Sequence, residues 1–225
     1  MGNFKKTVLE NGMRVVTVEM PQSLASTALI LVEAGSEYES KNINGISHFL
    51  EHMCFKGTTK RPKSIQITNE LNDMGAIYNA FTGEEYTGYY AKVRQVDLPI
   101  ALEIMSDIYL NSTFEANEID KEKGVICEEL NMDEDRLPQK VQELLSNLMF
   151  PDSPAGFPVG GTKEIIRSLN KDQFLDYHKN FYVASSTAVI IAGNINHEEI
   201  VSQIKELFLK INTFPRKEKV LTNLI

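Results

Sequence analysis

Apolar and polar residues follow two different periods along this chain. Short apolar or β-branched runs, typical of strands, occupy residues 7–9, 13–18, 26–34, 76–82, 86–94 and 187–192. Asn11-Gly12 lies between the first two runs, and Asn-Gly in that position is the strongest short signal for a β-hairpin. We therefore predict an initial hairpin followed by four further strands.

Apolar residues recur at helical spacing in the segments that separate these strands. Predicted helices cover residues 46–55, 64–74, 97–110, 115–134, 138–149, 163–169, 171–180 and 197–211. Gly57 is the predicted C-cap of the first helix, and Ser64 is the predicted N-cap of the second. Hairpins combined with uneven groups of helices favour an α+β fold over a regularly alternating parallel sheet.

The composition narrows the functional class. The 225 residues are 42% hydrophobic, which suffices for one large core or two small ones. The net charge of −8 argues against a nucleic-acid partner, because a phosphate backbone attracts basic surfaces. Cys54 and Cys127 are too few for a disulfide framework and indicate a reducing compartment. No apolar run could span a membrane and residues 1–10 lack a signal core, so we expect a cytoplasmic protein.

The predicted helix at residues 46–55 contains His-x-x-Glu-His, the inverted form of a zinc-protease motif. His48 and His52 are four residues apart and therefore share one helix face, where two imidazoles can bind one zinc ion. Glu51 precedes the second histidine and is the candidate general base. The motif predicts a zinc site on this helix.

A catalytic zinc usually takes three protein ligands and leaves a fourth position to water. Candidates for the third ligand are His178, His197 and the carboxylates of residues 121–130. Glu122 and Glu129 are seven residues apart, two turns along one helix face that also carries apolar neighbours, so this face could point inward. The spacing fits Glu129 as a ligand with Glu122 behind it, but periodicity alone favours a solvated acidic helix, because charge runs usually form solvated faces.

Four separated segments together resemble one enzyme family. The first is residues 48–58, and the second is the helix containing Glu122 and Glu129. The third is a pair of predicted strands, Asn79-Ala80-Phe81-Thr82 and Thr87-Gly88-Tyr89-Tyr90. The fourth consists of two glycine sites, Gly160-Gly161-Thr162 and Ala192-Gly193-Asn194. In this order they are similar to the pitrilysin family of zinc peptidases, which includes insulin-degrading enzyme and the mitochondrial processing peptidase. The resemblance extends through essentially the whole chain and implies a mostly antiparallel sheet packed with helices.

The resemblance implies a role for each polar residue of the motif helix and the acidic helix. His48, His52 and Glu129 would bind one Zn²⁺. Glu51 would take a proton from the zinc-bound water during attack on a peptide carbonyl and pass it to the leaving amine. Glu122 would orient or electrostatically support His48 or its neighbours.

The resemblance also implies a substrate-binding strand at Asn79, Ala80 and Phe81. An extended peptide would pair with the backbone of this strand, so recognition would depend on shape more than on sequence. Without the resemblance, the same residues would be an ordinary sheet segment with Phe81 in the core. Cys54 and Cys127 lie near the site in sequence, and we interpret both as small core residues.

Simple members of the family have two homologous halves, and this chain matches the first. We expect residues 1–213 to form the N-terminal metallopeptidase domain and residues 214–225 to begin a linker to a homologous C-terminal half. The predicted function is a zinc-dependent endopeptidase domain for short or unfolded polypeptides, which would cleave poorly without its second half or a partner subunit. The alternatives are a non-catalytic scaffold, a subunit of a two-subunit processing peptidase, and a metal-binding module without hydrolysis.

Overall fold

A computed structural model describes residues 4–219. The strands are β1 Phe4–Val8, β2 Arg14–Glu19, β3 Ala25–Val32, β4 Ile77–Thr82, β5 Thr87–Arg94 and β6 Thr187–Gly193. The helices are α1 Ile46–Cys54, α2 Ser64–Asp73, α3 Leu98–Leu110, α4 Ala116–Glu134, α5 Leu137–Met149, α6 Lys163–Ser168, α7 Lys171–Phe181 and α8 His197–Leu207. Every predicted strand and helix is present, and the largest difference is that α8 ends at residue 207 instead of 211.

The six strands form one sheet in the order β1-β2-β6-β3-β5-β4. β2 and β6 run parallel, and the other neighbouring strands run antiparallel, so the predicted α+β fold with a mostly antiparallel sheet is confirmed. Alternate residues of β3 are buried, which gives the sheet an apolar face for the helices to cover. β4 lies at an edge and pairs only with β5 among the described residues.

Helix α1 is fixed by its apolar side. Its buried residues include Ile46, Phe49, Leu50 and Met53, and this i, i+3, i+4, i+7 stripe faces the core. The ring of Phe49 packs edge-on against Phe174 of α7, with 4.8 Å between the ring centroids. Because one side of the helix is committed to the core, the polar residues of the motif share the opposite side.

Two predicted helix caps are wrong. The C-cap of α1 is Phe55, and Gly57 lies two residues beyond it with a φ of 148°. A Cβ on Gly57 would come within 2.6 Å of the Pro62 carbonyl oxygen, so this glycine is needed for a close backbone approach. The N-cap of α2 is Lys63, and Ser64 is the first helical residue.

A buried ion-pair network holds the loop after α1. The Arg61 guanidinium bonds Glu70 of α2 and Glu103 and Asp107 of α3, with 2.8 Å between its Nη1 atom and Asp107 Oδ2. Thr58 donates to the same Asp107 oxygen at 2.7 Å. This network joins α2 and α3 to the segment that follows α1.

Helix α5 is amphipathic but turns its apolar side outward. None of its residues is buried. Its exposed apolar residues are Leu137, Val141, Leu144, Leu145, Leu148 and Met149, and their exposed fractions lie between 53% and 78%. We call this set the α5 apolar face. Contiguous exposed apolar surface of this kind is typical of an interaction site.

The segment after α8 contacts the loop that follows β3 and the turn between β4 and β5. Lys219 bonds Glu37 at 2.7 Å and also Glu85, and Arg216 bonds Glu33. The domain boundary at residue 213 stays a prediction, and residues 220–225 of the expected linker lie outside the described part of the chain. Among helices within residues 4–219, none is both long and apolar enough to cross a lipid bilayer.

Candidate metal centre

The two histidines of α1 lie side by side, as the four-residue spacing predicts. Their ring centroids are 4.7 Å apart, and the side chains of His48 and His52 are 16% and 21% exposed. Both rings are therefore partly buried, and a small part of each is accessible to solvent. The Nδ1 atom of His48 is buried and has no hydrogen-bond partner among the described residues.

Helix α4 brings Glu129 to the same place. Glu129 Oε2 lies 3.8 Å from His48 Nε2 and 3.5 Å from His52 Nε2. Within residues 4–219, this trio is the one group of three or more His, Cys, Asp or Glu side chains whose ligand atoms converge within 4.8 Å. Glu128 points elsewhere, since it is exposed and accepts a hydrogen bond from Asn131.

Glu122 lies behind His52. Its Oε1 atom is 2.9 Å from His52 Nδ1, and its Oε2 atom is 2.6 Å from Lys56 Nζ. The carboxylate therefore supports His52, whereas the sequence left open whether it would support His48. The side chain is only 5% exposed, which shields both contacts from water. Val125 and Ile126 are the apolar neighbours of the face that carries Glu122 and Glu129; Val125 is exposed and Ile126 is buried, so this face points inward only in part.

The donor set and its spacing fit a zinc ion. Two imidazoles and one carboxylate are a common catalytic zinc set. Zinc bonds of about 2.0–2.2 Å in a tetrahedron place neighbouring ligand atoms about 3.3–3.6 Å apart. The Nε2–Oε2 distances of 3.5 and 3.8 Å are close to that requirement. Because Glu122 occupies Nδ1 of His52, the Nε2 atom of that ring is left to face the other donors.

The pKa values of the two histidines are shifted in opposite directions. Burial, with the neighbouring His52, lowers the pKa of His48 to about 4, so this imidazole is neutral near pH 7. Burial also disfavours a charge on His52, but the hydrogen bond to Glu122 and the nearby carboxylates outweigh it and raise its pKa. Burial alone would raise the pKa of Glu122, yet hydrogen bonds from His52 and Lys56 lower it. Glu122 is thus an anion at neutral pH.

Glu51 contacts the neighbouring sheet. Burial raises the pKa of its carboxyl group, and a 2.5 Å hydrogen bond from Thr82 Oγ1 partly opposes that rise. Thr82 is the last residue of β4, so this bond links the candidate base on α1 to the candidate substrate strand. Thr82 directly follows Asn79-Ala80-Phe81, but the sequence pattern predicts no role for its hydroxyl.

The candidate substrate strand is accessible. Asn79 is exposed and Ala80 partly buried. Phe81 is 38% exposed, so it does not lie in the core. Its ring covers Gly88 of β5, where a Cβ would come within 2.3 Å of the ring. The outer edge of β4 therefore offers backbone groups that an extended peptide could pair with.

The two other histidines are structural. His178 Nε2 lies 2.8 Å from the Tyr109 carbonyl oxygen, and burial lowers the pKa of the ring. His197 is held between the hydroxyls of Thr7 and Thr17 at 2.8 and 2.7 Å. Neither belongs to the cluster around Glu129, which leaves the carboxylate as the remaining candidate for the third ligand. Cys54 and Cys127 are free and buried, as predicted.

Comparison with known families shows where the chain belongs. The profile described as "Insulinase (Peptidase family M16)" matches residues 14–163. The chain belongs to peptidase family M16. A second profile, "Peptidase M16 inactive domain", matches residues 168–223. The predicted resemblance is confirmed by these profiles together with the processing-peptidase relatives and the pitrilysin structure described next.

Named relatives of this M16 chain are zinc proteases and processing-peptidase subunits. An uncharacterized zinc protease of Streptomyces coelicolor is 36% identical over 93% of this chain and 46% of its own length. A probable mitochondrial-processing peptidase subunit beta of Arabidopsis thaliana is 37% identical over 93% of this chain and 39% of its own. The chain thus spans about half, or less, of these relatives.

A solved structure shows the same fold. Pitrilysin superposes on the whole M16 chain with a TM-score of 0.90 at 24% identity, and the match covers 24% of the pitrilysin chain. At this identity the likeness speaks for the architecture alone. The names of the relatives identify a family of zinc metallopeptidases. The evidence from this chain itself for a metal site is the cluster of His48, His52 and Glu129.

Proposed function

We propose that this chain is the metal-carrying half of a zinc endopeptidase. The observation that carries the proposal is the convergence of His48, His52 and Glu129 from two helices, with Glu51 beside them. These three residues would hold one Zn²⁺. When bound, the ion would polarise a water molecule and lower its pKa, and it would stabilise negative charge on the peptide oxygen.

Glu51 would move the proton. Its carboxylate accepts from Thr82 at Oε2, and within residues 4–219 Oε1 has no hydrogen bond, so Oε1 could accept a proton from the attacking water. The burial that raises its pKa makes the carboxylate a stronger base than an exposed glutamate. The same carboxyl would then donate that proton to the leaving amine.

β4 would bind the substrate. A peptide added along the outer edge of β4 would be held extended by backbone hydrogen bonds within residues 79–81. The Ala80 amide would exchange its 2.9 Å bond to Asn79 Oδ1 for one to the peptide. Only an unfolded or short polypeptide can present its backbone in this way. The Thr82–Glu51 bond at the end of the strand would place the scissile peptide close to the base.

A second homologous half, or a partner subunit, would complete the site. Two observations support this part of the proposal: the chain spans about half of its curated relatives, and the α5 apolar face has no cover among the described residues. An exposed apolar helix face of this kind typically marks a site where another protein surface packs. We therefore expect weak peptidase activity from this chain alone.

Glu51→Gln separates metal binding from hydrolysis. The chain is purified without chelators, loaded with zinc and measured by atomic emission, and peptidase activity is assayed with the second half attached. We expect both wild type and Glu51→Gln to hold one zinc per chain, while hydrolysis is lost in the variant. The proposal is refuted if the wild-type chain holds no zinc after it has been loaded with the metal. Full activity of the isolated half would refute the need for a second half.

A further inference from the structure

The first turn of α1 is anchored by a buried residue outside the motif. The N-cap position of α1 is Gly45, which has no side chain to bond the free backbone amides and adopts a φ of 92°. Glu39, six residues earlier, supplies the missing acceptor: its carboxylate accepts from Gly45 N at 2.7 Å and from Ser47 N at 2.8 Å. Free amides at a helix start require such partners.

The Glu39 side chain is also part of a larger joint. It is completely buried, with 0% exposure. It accepts a third hydrogen bond, 2.9 Å long, from the Asn44 amide, which in turn donates to the Pro158 carbonyl at 3.0 Å. The loop after Pro158 continues to Gly160, where a Cβ would lie 4.0 Å from His48 Nδ1. One carboxylate thus connects the helix start to the loop beside His48.

The segment that carries Glu39 also contacts the substrate side of the site. The backbone amide of Glu37 donates to the Glu84 carbonyl at 2.9 Å, in the turn between β4 and β5. Residues 37–39 therefore bridge the turn after the candidate substrate strand and the start of the candidate metal helix. A shift of this segment would change the position of both.

We infer that Glu39 is a positioning residue for the metal centre, because it fixes the first turn of α1 and so the place of His48 relative to Glu129. His48 directly follows Ser47, whose amide Glu39 holds. α1 has only nine residues, so little helix remains to correct an error at its start. Ligand positions must be held within about 0.5 Å for a functional site. This inference rests on the proposed zinc function.

The test compares Glu39→Gln with a matched destabilised variant. Glutamine has the shape of glutamate, but its NH₂ group donates hydrogen bonds and cannot accept one, so one of the two backbone amides loses its partner. Ile191→Ala makes a cavity in the centre of β6 and changes none of the hydrogen bonds at the start of α1. Zinc affinity is measured by competition with a chromophoric chelator, under conditions where circular dichroism shows each variant folded.

We expect Glu39→Gln to bind zinc about tenfold more weakly than wild type. This is the lower end of the loss of about 10–100-fold that is typical when a residue that orients a metal ligand is removed. Ile191→Ala should bind zinc within about twofold of wild type, because Ile191 is neither a candidate ligand nor a polar partner of one. If Glu39→Gln does not fold, Glu39→Asp keeps the charge with a shorter reach, and the same loss is expected.

Unchanged zinc affinity in folded Glu39→Gln, or an equal loss in Ile191→Ala, would overturn the inference. Wild type that binds no zinc would instead refute the proposed function on which the inference rests.

Discussion

Replacing Glu122 by glutamine should weaken zinc binding although Glu122 is not a ligand. Glutamine keeps an oxygen that can accept from His52 Nδ1, but it removes the negative charge that makes this 2.9 Å bond strong. It also leaves the Lys56 ammonium, 2.6 Å from the present carboxylate, without its ion-pair partner close to the metal centre. Losing such a support typically reduces metal affinity about 10–100-fold, or about 1.4–2.7 kcal/mol. The uncompensated Lys56 should place Glu122→Gln towards the upper end.

The assay is zinc competition against a chromophoric chelator near neutral pH. Glu128→Gln is the matched control, since it removes the same charge from the same helix at an exposed position. Its affinity should stay close to that of wild type. An unchanged affinity in Glu122→Gln would refute the argument, and so would an equal loss in Glu128→Gln, which would mean that only the net charge of α4 matters.

Two further predictions concern stability. Arg61→Met should lower the free energy of unfolding by about 3–5 kcal/mol, because buried Asp107 loses its counter-ion. Urea denaturation measures this free energy. A loss below about 1 kcal/mol, typical of exposed ion pairs, would contradict the prediction. The lowered pKa of His178 means that the unfolded chain binds a proton more readily than the folded one, so wild-type stability should fall as pH drops below the ordinary value of 6.5. In His178→Phe this part of the pH dependence should disappear in denaturation series at several pH values, and an identical slope in both proteins would refute the assignment.

The sequence was a good guide wherever a local pattern determines the outcome. Helical periodicity located α1 and α4, and the spacing of His48 and His52 predicted that their rings would meet. The seven-residue spacing of Glu122 and Glu129 predicted a shared face, but periodicity alone favoured a solvated acidic helix. The crossing of α1 and α4 removes that alternative for Glu129, whose carboxylate reaches both rings.

Features that depend on distant packing were not predictable from the sequence. The preference of Glu122 for His52 and Lys56 depends on how two helices cross, which no spacing encodes. Glu39 reaches the start of α1 across a loop, so neither a capping motif nor periodicity marks it. Helix caps were misplaced because Gly57 and Ser64 satisfy the usual preferences at positions that the backbone uses differently.

The position of β6 has a consequence for how the chain folds. β6 is the last strand in sequence within residues 4–219, yet it lies between β2 and β3 and hydrogen-bonds to both. Until residues 187–193 are synthesised, the β1–β2 hairpin and the β3–β5–β4 unit have no common partner. Such long-range pairing slows folding, and a nascent chain exposes its unpaired strand edges meanwhile. A product truncated before residue 187 would contain all three candidate ligands but would lack the strand that joins the sheet supporting them.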